Sequence, residues 1–288
     1  MTTSLLILAA GMGSRFGDTK QIVKVSARKV PLLFFAIEDA IAAGVNHVVV
    51  VTRSDLMEFF QQEICSHFPG ISFEFAIQEM SSFCPSSITQ IVKNRQKPWG
   101  TAHATLTAKN ILHGKFLLIN ADDYYGKSAI QDTVQFMIDN KIDNNLLQTW
   151  ACMAYNLGNT LSPNGTVSRS FILSDDDIFV KKFVEHHGIL NDQSRIIDSN
   201  LDIFSENTLA SMNLFALDDR IFTFLEQQFS QFLEESLKND TILSAEFGLP
   251  QNILAAGVPV KILRTQEKWV GMTYKSDLEL VNKFLEER

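Results

Sequence analysis

Cysteine is scarce in this chain of 288 residues: Cys65, Cys84 and Cys152 are odd in number, widely spaced and without a CxxC pair. That pattern argues against a disulfide framework or a cysteine zinc site and suits incidental thiols in a reducing compartment. Positive charge is also short, with 25 Lys and Arg against 33 Asp and Glu, a net charge of −8. A general nucleic-acid binder would normally carry a basic surplus. No apolar run approaches the ~18 residues of a membrane span. The apolar N-terminus is short, lacks a basic segment before it and passes at once into glycines, so it reads as a strand rather than a secretion signal. A soluble, cytoplasmic protein is expected. No Gly-, Pro- or Ser-rich linker and no internal repeat interrupts the chain, so one structural domain is expected over residues 1–288, with halves 1–145 and 146–288.

Several catalytic patterns are missing as well. There is no GxxxxGK[ST] phosphate loop, no GxSxG elbow and no HExxH helix. A dinucleotide fingerprint fails on two counts. Phe16 stands where the third glycine after Gly11-Met12-Gly13 should be, and the next strand, His47–Val51, comes too late to supply the acid. His186 and His187 are neighbours on an expected strand and point to opposite faces, which is poor for one metal ion.

What is present is apolar and aromatic: 45% hydrophobic residues with 22 Phe, enough for a sizeable core. The first half alternates. Strands are expected at Leu5–Ala9, His47–Val51, Ile71–Ile77 and Phe116–Asn120, and helices at Pro31–Ala43, after Ser54, at Thr101–Lys109 and at Ser128–Asn140. Such alternation implies a parallel sheet covered on both faces, with ligands at the strands' C-terminal ends. The second half suggests strands at Leu146–Tyr155, Thr166–Phe171, Ile178–Glu185, Ser211–Leu217 and Val258–Leu263. Its helices are expected at Arg220–Leu237, at Pro250–Ala256 and after a Ser276 cap.

The stretch 5–24, LLILAAGMGSRFGDTKQIVK, carries the most information. A buried strand breaks into a loop with Gly11, Gly13 and Gly17 that delivers Arg15 and then Lys20. Glycines let the main chain approach phosphate oxygens, and two cations offset charge on transferring and leaving groups, so the loop suits a triphosphate. Lys24 stands apart, on a strand with Val23 and Val25, and reads as facing solvent. Asp122 follows the apolar strand 116–120, so its carboxylate emerges at the sheet's C-terminal edge, where magnesium commonly takes one or two carboxylates plus phosphate oxygens and waters. Asp123 points elsewhere if the backbone is extended.

LAAGMGSRFG followed by TKQ resembles the signature of the sugar-1-phosphate nucleotidyltransferases, also called nucleotide-diphosphate-sugar pyrophosphorylases. PWGTAHA (98–104), INADDYYG (119–126) and WVGMTYKSD (269–277) extend the resemblance in the family's order over nearly the whole chain. It implies a three-layer, Rossmann-like α/β nucleotidyltransferase fold with a mostly parallel, mixed sheet. The first half would bind nucleotide and the second sugar. No hexapeptide repeats occur, so the form without a β-helical acyltransferase domain is expected. The implied reaction is in-line attack of a sugar-1-phosphate oxygen on the α-phosphorus of a nucleoside triphosphate, with pyrophosphate released and Mg²⁺ required.

By the same resemblance, Asp122 is the metal aspartate, Asp123 a holder of metal-bound water, Arg15 a β/γ-phosphate contact and Lys20 a contact to the α-phosphate or the sugar phosphate. The backbone of Ala9, Ala10 and Gly11 would read the base with Gln78, or with Gln90 or Gln96, because the spacing to Gly100 is longer than in the commonest relatives. Gly100 and Thr101 open a helix that admits base or ribose; His103 reads as packed within it. Gly165, Glu185 and Asn213, with Glu246 nearby, match positions that contact sugar hydroxyls. One departure stands out: relatives supply a second metal ligand near the tryptophan, whereas Trp269 is followed by Val270, Gly271, Met272 and Thr273. The second ligand is then Thr273, Asp277 or none. UTP is the expected nucleotide, with thymidylyl and guanylyl transfer open. Two other readings remain: transfer to a non-sugar phosphate such as choline phosphate, and a non-catalytic nucleotide or sugar-nucleotide sensor.

Overall fold

The computed structural model describes residues 2–11, 20–142, 146–192, 195–272 and 274–287. The stretches LLIL, VVVV and FLLI lack the polar alternation of a half-exposed strand, and each lies in a strand buried on both faces. These are β1 (Ser4–Leu8), β4 (His47–Thr52) and β6 (Lys115–Asn120). The short hairpin of β2 (Lys24–Val25) and β3 (Val30–Pro31) precedes β4, and β5 (Ser72–Ile77) follows it. β5, β4, β1 and β6 lie side by side in parallel ladders.

Helices α1 (Leu33–Ala42), α2 (Met57–His67), α3 (Thr89–Val92) and α4 (Thr101–Thr107) belong to this half. After β6 come β7 (Asp123–Tyr124) and α5 (Lys127–Asp139). The second half adds β8 (Trp150–Asn156), β9 (Val167–Leu173), β10 (Lys182–Asp192), β11 (Arg195–Ile197), β12 (Ile203–Phe204) and β13 (Leu209–Asp218). It ends with α6 (Arg220–Lys238), α7 (Leu249–Ala255), β14 (Val260–Thr265), β15 (Val270–Gly271) and α8 (Asp277–Glu286). Helix α4 packs on β1, β4, α6 and α7, whereas α5 packs on α1, β6, β8, β13 and β14, which gives the three layers. The buried stripe of α6, Ile221, Leu225, Phe229 and Leu233, recurs every four residues toward the core. One principal core cluster takes residues from both halves.

Strand β13 decides where a ligand can sit. Phe215–Asp218 pair antiparallel with β6, but Ala210 and Ser211 pair with β9 along the same edge. Between them Asn213 adopts φ 63°, and the register against β8 slips between Ser211 and Phe215. The sheet thus changes neighbours at this point, and a crevice opens between the C-terminal end of β6 and the start of β9.

Several boundaries differ from the sequence pattern. Pro31 closes the β2–β3 hairpin and α1 starts at Leu33. Ser54 sits inside a short 3₁₀ turn, and neither it nor Ser276 caps a helix through its side chain. β10 begins at Lys182 because Ser174 and Asp176 fold the preceding segment into a turn, Asp176 Oδ1 accepting from the Ile178 and Phe179 amides. β14 lies two residues later than expected, in register with β8. The described residues form no β-helix, and no described helix is long and apolar enough to cross a membrane.

Candidate active site

The crevice is a cleft of about 620 Å³. Asn120, Asp122 and Asp123 enter it from the end of β6, Ser168, Arg169 and Ser170 from β9, Glu185 and His187 from β10, and Ser211 and Asn213 from β13. Thr101, Glu246, Gln251 and Trp269 complete the wall. Six residues singled out from sequence therefore converge here from five different segments: Thr101, Asp122, Asp123, Glu185, Asn213 and Glu246.

Asp122 occupies the turn between β6 and β7, and its carbonyl accepts from the Met272 amide at 3.2 Å. Asp123 Oδ2 accepts from Asn120 Nδ2 at 2.9 Å and from the Tyr125 hydroxyl at 3.3 Å. Burial, reinforced by Asp123, raises the Tyr125 phenol well above its ordinary range, so it stays a neutral donor. The WVG loop reaches this point by pairing β15 with β7, Gly271 opposite Asp123. A Cβ on Gly271 would stand 2.3 Å from the Trp269 ring and 2.8 Å from Asp123 Oδ1, so only glycine fits.

The second wall is polar and dense. Arg169 is buried at 7% exposure, with its guanidinium 4.7 Å from the centre of the Trp269 ring. It donates from Nε to Thr160 Oγ1 (3.2 Å), from Nη1 to the Ser168 carbonyl (2.8 Å) and from Nη2 to the Thr160 carbonyl. Burial lowers its pKa to about 10, partly offset by Asp123, Glu185 and Asp277, so it remains a cation at neutral pH. Partial desolvation raises the Glu185 carboxyl above its ordinary range, while His187, Arg169 and His186 pull it down and Glu246 adds to the rise. Ser170 Oγ is buried with no hydrogen-bond partner among the described residues. The two histidines diverge as alternation requires. His186 stacks on Phe171 at 4.4 Å and bonds Asp198, and His187 bonds Ser168 and faces the cleft.

Next to the cleft, Gln78, Ala10, Arg53, Trp99 and His103 line a small pocket of about 40 Å³. The Ala9 amide is committed to the Val51 carbonyl at 2.7 Å, and the Gly11 carbonyl accepts from Gln21 Nε2 at 2.5 Å, so the glutamine of TKQ ties down the edge of the glycine loop. Gly100 adopts φ +119°, and a Cβ there would lie 2.6 Å from the Phe247 carbonyl oxygen. The Thr101 hydroxyl accepts from the Leu249 amide at 3.0 Å. Arg95, buried over the Trp99 ring, donates to the Lys97, Pro98, Ile242 and Ala245 carbonyls and clamps the Glu246 segment to this end of α4.

Other expected residues lie elsewhere. Arg15, Gly13 and Thr273 fall outside the described residues; Lys20 opens a short 3₁₀ turn, its side chain outside the description. Gly165 packs against Tyr274 and does not line the cleft. Lys24 is exposed and pairs with Glu63 at 3.5 Å. Gln90 and Gln96 are exposed and line neither pocket. Asp277 is buried away from the cleft and accepts from Ser162, Asn164 and the Tyr274 amide. Arg169, Ser170 and His187 escaped the sequence reading. Their only signal is polar and charged residues in strands otherwise filled by apolar ones, VSRSFIL and KFVEHHGIL.

Among the described residues no cluster of three His, Cys, Asp or Glu could hold a metal ion by itself. Asp122 and Asp123 are hard oxygen donors on one wall, which fits Mg²⁺ held jointly by carboxylate, phosphate oxygens and waters.

A family model described as Nucleotidyl transferase matches residues 4–244. Among solved structures, an inositol-1-phosphate CTP transferase from T. maritima is similar at 14% identity and TM-score 0.61, over 99% of this chain and 97% of that one. A UDP-glucose pyrophosphorylase complexed with UDP-glucose gives 16% and 0.62, over 100% of both chains. A CTP:phosphocholine cytidylyltransferase from Streptococcus pneumoniae gives 14% and 0.58, over 99% of this chain and 100% of that one. Likeness at these identities establishes the fold. A search of curated proteins found no match.

Proposed function

Since this chain belongs to the nucleotidyl transferase family, we propose that it transfers a nucleotidyl group from a nucleoside triphosphate, UTP foremost, to a sugar-1-phosphate, releasing pyrophosphate. The observation that carries this reading is the cleft at the point where β13 changes partners, with Asp122 at the end of β6 on one wall and hydroxyls, an amide and carboxylates on the other.

An oxygen of the acceptor phosphate forms a bond to the α-phosphorus as the bond from that phosphorus to the bridging oxygen of pyrophosphate breaks. The attacking oxygen is already anionic, so no side chain has to remove a proton. Positioning and charge neutralisation are what the protein supplies. Asp122 would hold Mg²⁺ together with phosphate oxygens, and the ion would supply neutralisation of the developing charge. Arg15 and Lys20 are proposed phosphate contacts. Asn213 and Glu185 would hold acceptor hydroxyls, and the buried Ser170 hydroxyl would gain the partner it otherwise lacks. A cytoplasmic location suits the phosphorylated substrates.

A second reading has its own support. Four carboxylates line the cleft, Asp122, Asp123, Glu185 and Glu246, against the cationic Arg169 and the titratable His187. An acceptor phosphate carrying an amine, such as an amino alcohol phosphate, would suit that balance. Pyrophosphate release in Mg²⁺, measured for each NTP and dTTP against sugar-1-phosphates and amino alcohol phosphates, separates the two. Release only with amino alcohol phosphates replaces the first reading by the second, and nucleotide binding without release from any pair leaves a sensor. Asp122→Ala is expected to lower turnover by ~100-fold or more, about 2.7 kcal/mol in the barrier; a loss below tenfold sinks the mechanism.

A further inference from the structure

His103 is the one fully buried histidine of the six in the chain. It lies on α4 between the rings of Phe83, at 6.0 Å, and Phe229, at 4.8 Å. Packing alone would account for such a ring, yet both of its nitrogens are engaged. Nε2 stands 3.0 Å from the Ser82 carbonyl oxygen, and Nδ1 stands 2.9 Å from the Gln78 amide nitrogen. A carbonyl oxygen only accepts, so Nε2 carries the ring proton. Burial pushes the imidazole pKa down to about 4, with Arg95 adding to the fall and the Ser82 bond opposing it. The ring is therefore neutral at pH 7, and Nδ1 is an acceptor.

The orientation of Gln78 follows. Only its NH₂ can donate to Nδ1, and that same nitrogen contacts the Gly100 carbonyl at 3.5 Å. What remains is the side-chain carbonyl, to which no described residue donates, on a residue that lines the pocket beside Ala10 at the end of β1. An amide without such an anchor turns over freely and offers oxygen or nitrogen to a ligand as needed.

We propose that His103 is a positioning residue for base recognition. Its hydrogen bond fixes the Gln78 amide with the carbonyl toward the base, so the site takes a ring N–H donor, as at N3 of uracil, and rejects a ring lone pair, as at N3 of cytosine. This rests on the nucleotidyl-transfer reading above with Gln78 at the base, and it makes UTP, and equally dTTP, a better partner than CTP.

Two measurements test it. NMR of ¹⁵N-histidine-labelled protein reads the ring that does not titrate above pH 5. The neutral Nε2–H tautomer is expected. The Nδ1–H tautomer, or a ring protonated at pH 6, overturns the proposal, because Gln78 would then present its oxygen to the histidine. Calorimetric titration with UTP and CTP in Mg²⁺ reads the consequence. The wild-type protein is expected to bind UTP at least ~10-fold more tightly than CTP. In His103→Leu, close in size but without an acceptor, the two should fall within about threefold. His103→Gln, which restores a carbonyl acceptor, should recover most of the ratio. A UTP:CTP ratio in His103→Leu equal to that of the wild type overturns the inference alone. Binding of neither UTP, CTP, GTP, ATP nor dTTP to the wild type overturns the nucleotidyl-transfer reading and the inference with it. Should His103→Leu fail to fold, the tautomer in the wild-type protein decides.

Discussion

Gly271 lies where two demands meet, the approach of the Trp269 ring and the carboxylate of Asp123. Its missing side chain lets β15 pair with β7 closely enough to hold the turn that carries Asp122. Gly271→Ala would force the indole edge or Asp123 to move, and overpacking of this kind costs about 2 kcal/mol. Urea denaturation is expected to register that loss, and turnover should fall with it. A variant as stable and active as the wild type would mean that the loop yields without consequence. Asp277 carries the opposite lesson: a carboxylate in the WVGMTYKSD stretch that the fold spends on three hydrogen bonds at the start of α8, away from the cleft.

Among the elements, β13 places the wall of the cleft opposite Asp122. It pairs with β9 at Ala210 and Ser211, bends at Asn213 and pairs with β6 from Phe215 to Asp218. Asn213 holds φ 63°, a conformation asparagine tolerates and β-branched residues do not. Asn213→Val is therefore expected to cost about 2 kcal/mol in stability, whereas Asn213→Gly should stay within about 0.5 kcal/mol of the wild type while raising KM for the acceptor. Equal stability of the two variants in thermal denaturation would remove the backbone argument. Helix α4 is placed with similar economy: Arg95 gathers four carbonyls from two segments, and Phe247 exchanges bonds with Trp99 and Ala102. The seven residues of α4 thereby hold Thr101 against the cleft and His103 against Gln78.

For the whole molecule, the buried His103 links stability to pH. Its folded pKa of about 4 lies below the ordinary 6.5, so the unfolded chain binds the extra proton first. Its contribution is complete above about pH 6.5 and is lost as pH falls toward 4, amounting to about 3 kcal/mol. The slope of unfolding free energy against pH in that window should be shallower in His103→Leu; an identical slope would contradict the assignment. The sequence by itself determined the parallel half of the fold and the motifs that meet at it, because continuous apolar runs and glycine turns act through local sterics and burial, whatever the rest of the chain does. The place of Asp122 at the end of β6, in the cleft wall, was legible because it follows a strand that must be buried. Only the tertiary structure decided the wall opposite Asp122. Arg169 and Ser170 are polar residues in apolar strands, and whether such residues face a cleft, a core or solvent depends on which strand β13 pairs with at each position. That pairing joins residues distant in sequence, and the same holds for Gln78 and His103, whose hydrogen bond exists only because α4 packs on β1 and β4 and so brings His103 to the residue that follows β5.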